Sequence, residues 1–252
     1  MNKQRHRIAV LAVAGLAGLS GFARSSFAQS NLHPSLYGST EFDTRGEQFY
    51  LLGLYVGMGG LGWSPYLNVN AYHLMYPIRV TTNTTRDATL NAFSPTVGLA
   101  YASGHSGVSF GVGYSWSSNQ DPAAIGAESG GSNGVTASFG AYNNGTGTRA
   151  LHTQFLSNYN FGSRYLWTRL RGSVPFGRSM SHPARVGLEF VGQGGGKNGR
   201  TSNSFQVGPT LQYSWSPNFQ TTGVVGWKNT GGSGGFPRDN AAYFKLEFSL
   251  SP

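Results

Sequence analysis

The sequence predicts an all-β chain, an antiparallel transmembrane β-barrel of the outer-membrane type with about twelve strands; ten is the alternative count. Three observations predict it. Apolar and polar residues alternate along most of the chain after residue 33, the period of a two-faced strand. Only 11% of the 252 residues are charged, while 13% are aromatic and 38 are glycine. Soluble domains carry about a quarter charged residues, and a surface facing lipid carries charge only at high cost. Third, the longer polar links fall at every second connection, as short periplasmic turns and longer external loops require.

The first element is a targeting segment, residues 1–28. Lys3, Arg5 and Arg7 make a cationic start, Ile8 to Leu19 is apolar, and Ser26-Phe27-Ala28 offers small residues to a signal peptidase. This pattern is a secretory signal with cleavage after Ala28. Its apolar run is too short to span a bilayer. The barrel is expected to occupy 29–252. No later stretch holds the roughly twenty apolar residues of a membrane helix. The chain has no cysteine, so disulfides and thiolate metal sites are excluded. The formal charge is +9, but the signal holds four of the basic residues and no acid, leaving 14 basic against 9 acidic, or +5. They are scattered, so no nucleic-acid surface is expected.

The strands are expected near 34–43, 47–58, 62–76, 90–103, 106–117, 134–142, 150–161, 164–176, 184–192, 203–216, 219–229 and 240–250. In the third, Leu67, Val69 and Ala71 oppose Asn68, Asn70 and Tyr72. In the fifth, Val108, Phe110, Val112, Tyr114 and Trp116 alternate with Ser109, Gly111, Gly113 and Ser115. In the sixth, Val135, Ala137, Phe139 and Ala141 alternate with Thr136, Ser138 and Gly140. In the tenth, Phe205, Val207, Leu211, Tyr213 and Trp215 oppose Gln206, Gly208, Thr210 and Gln212. The last places Phe244, Leu246, Phe248 and Leu250 opposite Tyr243, Lys245 and Glu247. Links 77–89, 118–133, 193–202 and 230–239 are read as long loops. Trp63, Tyr76, Trp116, Trp215 and Trp227 fall near strand ends, where amphipathic rings sit at lipid headgroups; the expectation is an aromatic girdle.

The charges follow the same alternation. Arg169, Arg171, Arg185, Glu189, Lys228, Lys245 and Glu247 lie on the faces opposite the large apolar residues. A charge facing the bilayer midplane costs about 2–4 kcal/mol, which turns these side chains inward. They form a mixed, mostly basic lumen cluster. It reads as a salt-bridged plug, since small barrels are largely filled by side chains; the alternative is a narrow pore with an anion preference. Asn68, Asn70 and Tyr72 suit sugar contact, with ordinary lumen lining as the plainer reading.

No catalytic residue is assigned. Outer-membrane phospholipases need a His-x-Ser-Asn type motif, and neither His105-Ser106 nor His152-Thr153-Gln154 matches. Omptin-type proteases need paired Asp and an Asp–His pair; Asp43, Asp87, Asp121 and Asp239 neighbour no histidine in sequence. Lipid A deacylases use His and Ser with Glu; His152 or His182 could serve on paper, but no local motif surrounds either. Gly57 to Gly62 matches a dinucleotide fingerprint by chance, since no helix follows. The histidines at 33, 73, 105, 152 and 182 are isolated, so no metal or other cofactor is expected.

Several short motifs carry a resemblance. Gly46-Glu-Gln-Phe-Tyr50 leads into Gly62-Trp63; Arg185-Val-Gly-Leu-Glu189 is followed by Gly192-Gln193 and Phe205-Gln-Val-Gly208; Gly226-Trp-Lys228 leads to Tyr243-Phe-Lys-Leu-Glu-Phe248. The chain resembles the accessory outer-membrane barrels found with cellulose and other exopolysaccharide biosynthesis genes. The resemblance implies a role in building or passing polysaccharide, with polysaccharide or export machinery as partner, and assigns no catalytic residue. The final strand also resembles the signal read by the barrel assembly machinery, although it ends on Ser251-Pro252 rather than an aromatic residue. The expectation is a non-enzymatic barrel in contact with outer-membrane lipid. The alternatives are a small porin-like channel and a lipid-modifying hydrolase.

Overall fold

The computed structural model describes residues 32–81, 84–120, 133–145, 150–177, 184–197, 200–232 and 239–251. The targeting segment 1–28, Asp121 and His182 lie outside the described residues. Twelve strands follow in order: β1 (Leu32–Asp43), β2 (Gln48–Met58), β3 (Gly62–Thr81), β4 (Thr84–Ala102), β5 (Ser106–Gln120), β6 (Gly134–Asn144), β7 (His152–Asn160), β8 (Tyr165–Phe176), β9 (Ala184–Lys197), β10 (Arg200–Ser216), β11 (Phe219–Gly232) and β12 (Asp239–Leu250). Each pairs antiparallel with its sequence neighbours. β12 closes on β1, from Leu36 opposite Leu250 to Asp43 opposite Tyr243. Closure leaves no unpaired edge, the condition for a sheet to sit in lipid. Twelve strands about 4.8 Å apart and tilted about 40° form a ring roughly 24 Å across at the backbone.

The count is twelve, and most boundaries fall within two residues of those read from the pattern. Two of the expected long loops are instead strand. β3 and β4 pair onward to Thr81 and Thr84, and β9 and β10 pair onward to Lys197 and Arg200. The physical reason is that pairing needs backbone groups, not an apolar face. A hairpin that stands in water shows no alternation, so a period-two criterion misses it. These hairpins protrude at the end opposite both termini, the end that carries the longer external loops in outer-membrane barrels.

Burial is inverted relative to a soluble protein. Leu52, Leu54, Val97, Leu99, Phe110, Val112, Leu188, Leu211, Val225 and Leu246 are exposed on the outer wall. Glu189, Gln206, Lys228 and Lys245 are buried inside. Trp63 packs on Tyr101 at 5.4 Å near the terminal end of the wall, where Trp215 also faces outward. Phe93 stacks on Trp116 at 6.2 Å nearer the other end, where Trp227 also faces outward. Tyr76 is a correction to the expected girdle. It shares the β3 face of Tyr66 and Tyr72, and its register partner is the fully buried Ala88. Its place near the end of the alternating run suggested a girdle, but strand parity turns it inward.

Tyrosines line much of the interior by lying flat on glycines. A Cβ at Gly53 would overlap the Tyr37 ring, and one at Gly98 would sit 2.6 Å from the Tyr66 ring. The glycine supplies the space and the ring covers bare backbone on the neighbouring strand.

Candidate functional site in the barrel lumen

Parity places the inward residues of β8, β9, β11, β12 and β1 on one side of the lumen, and they bring the charges together in two clusters. In the first, β8 supplies Arg169 and Arg171, β9 supplies Glu189, and β12 supplies Lys245 and Glu247. Arg169 donates to Glu247 Oε1 at 2.8 Å and to Gln154 Oε1 at 2.8 Å. Arg171 donates to Glu247 Oε2 at 2.6 Å and also pairs with Glu189. Lys245 binds Glu189 through Oε1 and lies 3.3 Å from Glu247. Glu189 is fully buried. A buried carboxylate requires such partners, because desolvation alone costs several kcal/mol per ion.

These pairs reach across the lumen. β8 and β12 are four strands apart. In a circular barrel of this size such strands stand about 21 Å apart at the backbone. An arginine and a glutamate together do not reach that far. The wall is therefore drawn in between β8 and β12, and the ion pairs cross the narrowed interior.

The second cluster lies at the external end. The turn from β1 to β2 folds because Asp43 Oδ1 accepts from the backbone N–H of Arg45 at 2.9 Å and of Glu47 at 3.0 Å. Asp43 Oδ2 also receives Arg45 Nη2 at 2.6 Å. Lys228 on β11 is 1% exposed; its Nζ lies 2.6 Å from Glu47, 3.1 Å from Glu41 and 3.8 Å from Asp43. Gln206 Nε2 donates to Glu41 at 2.9 Å, and Arg45 reaches Thr230. Burial pushes the Glu47 carboxyl up from its ordinary value, and the Lys228 ammonium draws it partly back. Tyr243, 3% exposed, separates the two clusters on β12.

The clusters are complementary in charge. The inner one holds three cations and two acids; the outer one holds three acids and two cations. Together they balance, where the sequence suggested a mostly basic patch. Glu41, Asp43, Arg45 and Glu47 were absent from that expectation. Glu41 obeys strand parity opposite Phe42 and was legible. Arg45 and Glu47 belong to a turn, whose orientation no alternation encodes. Lys228 joins these residues rather than the arginines. Arg185 faces inward near the terminal end, opposite Pro175 and Gln212 in register. No ion pair among the described residues includes it.

Among the described residues the facing wall carries no charged side chain into the lumen. Tyr37 Oη lies 2.8 Å from Asn68 Oδ1 and 2.6 Å from Asn70 Oδ1. Tyr72 lies beside Phe49, with ring centroids 6.0 Å apart. Tyr55 and Tyr66 stack at 5.2 Å, and Tyr66 Oη is 3.5 Å from Ser138 Oγ. Asn158 and Asn160 face inward from β7, and Tyr142 stays 39% exposed inside the terminal mouth. Buried inward positions concentrate on β9 to β12, whereas the inward residues of β7 are all only half-buried. Two described histidines are each turned toward an amide: His73 Nδ1 is 2.7 Å from Asn91 Oδ1, and His152 Nδ1 is 3.4 Å from Asn144 Oδ1. No metal-holding group of His, Asp or Glu occurs among the described residues.

The geometry has counterparts among solved structures. LpxR from Salmonella typhimurium matches with a TM-score of 0.50 at 13% identity, over 86% of this chain and 99% of that one. The chain is an outer-membrane-type β-barrel. The β domain of the Bordetella autotransporter BrkA matches with a TM-score of 0.49 at 10% identity, over 88% and 98% of the two chains. The translocator domain of NalP from Neisseria meningitidis gives 0.48 at 12%, over 96% and 97%. No protein-family model and no curated protein matches the sequence. At these identities the likeness concerns the barrel and not its activity.

Proposed function

We propose that this protein is a non-enzymatic barrel of the outer membrane, exported with cleavage near Ala28, that acts in producing or exporting a neutral exopolysaccharide of the cellulose type. One observation carries the reading. The lumen charges neutralise one another on one side, and the wall facing them offers amides, hydroxyls and tyrosine rings. Neutral sugars are held by that chemistry: rings pack against pyranose faces, and amides bond to hydroxyls. In this reading the ion pairs keep the barrel closed at rest, and the half-buried inward residues of β7, with Asn68, Asn70 and Tyr72 of β3, face the sugar. Arg185, inward and without an acid partner among the described residues, favours a second reading, a narrow channel with an anion preference.

The test is isothermal titration of the refolded mature barrel in nanodiscs with cello-oligosaccharides and, separately, with oligouronates. Saturable binding of the neutral series, weakened in Asn68→Ala and Tyr142→Ala variants, is the expected outcome. Binding of oligouronates alone, lost in Arg185→Ala, would transfer the assignment to the anion channel. Heat silence with both series would end the polysaccharide reading.

A further inference from the structure

A polar row borders the apolar outer wall on the opposite side of the sheet from the lumen. Tyr50, His73, Asn91 and Ser118 stand directly opposite one another in register across β2, β3, β4 and β5. Their side chains share the outward face of Leu52, Phe93 and Trp116. Tyr50 lies against the His73 ring, centroids 6.2 Å apart, and Phe42 meets Tyr50 edge-on at 5.8 Å. Tyr50 Oη donates to Gln48 Oε1 at 3.2 Å.

The height of the row decides what it meets. His73 is about 33 Å of strand from Trp63 at roughly 3.3 Å per residue. At a tilt of about 40° that is roughly 25 Å along the barrel axis, the height of the apolar band. Phe93 and Trp116 occupy the outward positions next to Asn91 and Ser118 on the lipid side, so the row stands just beyond the aromatic belt. It lies at the external end, at the level of the outer-leaflet headgroups. Asp87, the acid on the same face of β4, is two outward positions further from the belt.

The hydrogen bond to Asn91 orients the imidazole. Oδ1 accepts, so Nδ1 carries the proton and Nε2 is the nitrogen left for another group. In its doubly protonated form such an imidazole donates through Nε2 as well, and toward an anion that is a charge-assisted hydrogen bond.

We propose that His73, oriented by Asn91 and flanked by Tyr50 and Ser118, binds the phosphate of a phosphorylated outer-leaflet glycolipid. The ring of Tyr50 packs beside the sugar that bears the phosphate, and the Ser118 hydroxyl supplies a further donor. This site is separate from the lumen and does not depend on the function proposed for it.

The experiment places the refolded mature barrel in phosphatidylcholine nanodiscs doped with lipid A. Native mass spectrometry counts retained lipid A, and NMR follows the His73 imidazole signals as the lipid is added. The expected result is retention that falls about tenfold in His73→Gln, the scale of one hydrogen bond to a charged group. Asn91→Ala, which frees the ring to rotate, weakens retention less. Asn143→Ala, an outward residue at the opposite end, leaves it unchanged. Lipid A stripped of its phosphates is not retained, and the His73 imidazole signals move only with the phosphorylated form. Equal retention by the His73→Gln barrel, shown folded by heat-modifiable mobility, overturns the site. Equal retention of the dephosphorylated lipid overturns the phosphate assignment. Equal movement of those signals with millimolar inorganic phosphate overturns the lipid assignment in favour of a free-anion site.

Discussion

Replacing Glu247 by alanine tests whether the lumen is held shut by its ion pairs. Glu247 accepts from Arg169 at 2.8 Å and Arg171 at 2.6 Å, with Lys245 at 3.3 Å, and its side chain is 15% exposed. Removing it leaves three cations around the single carboxylate of Glu189. Arg169 keeps only Gln154 as a hydrogen-bond partner. Taking one partner from a buried ion pair costs about 3–5 kcal/mol. Glu189 still compensates Arg171 and Lys245, which puts the expected loss near the lower end, about 3 kcal/mol. The assay is reversible urea unfolding of the mature barrel in phosphatidylcholine vesicles, followed by tryptophan fluorescence. A matched variant with Arg169→Met and Glu247→Leu removes a charge together with its partner and is expected to lose less than the single change. Planar-bilayer recordings of Glu247→Ala are expected to show anion-selective steps that the parent lacks. A loss within about 0.5 kcal/mol of the parent, the range of an ordinary surface substitution, would mean that water already reaches the arginines and that the lumen is open.

Two further outcomes follow from the packing. Gly53→Ala is expected to destabilise the barrel by about 1–3 kcal/mol, because its Cβ overlaps the Tyr37 ring; the loss shrinks when Tyr37→Ala is added, and strictly additive effects in urea unfolding would refute the ring-on-glycine account. Among single-tryptophan variants in bilayers with brominated acyl chains, Trp63, Trp116, Trp215 and Trp227 are expected to be quenched. Trp167 faces inward near Arg169, at 5.9 Å, and is expected to resist; strong quenching of Trp167 would reverse the register of β8.

Sequence alone determined the class of fold, a count near twelve strands and, by parity, the face of residues within the alternating runs. Period-two alternation is a local property, and lipid on one side forces every strand to display it. The inward placement of Arg169, Arg171, Glu189, Lys245 and Glu247 could therefore be read one strand at a time. Tyr76 shows the same rule from its other side, since its parity with Tyr72 had more weight than its nearness to a strand end. The protruding hairpins of β3–β4 and β9–β10 were not legible, because backbone pairing in water leaves no apolar signature. Only the tertiary structure decided which charges meet. Arg169 and Glu247 are separated by 78 positions in sequence and by three intervening strands. Their contact depends on closure of the sheet and on how far the wall is drawn in. The division into two complementary clusters, the separation of Arg185 from both and the outward row through His73 arise in the same way. Each depends on the register between strands, which is fixed by the whole closed sheet rather than by any one segment.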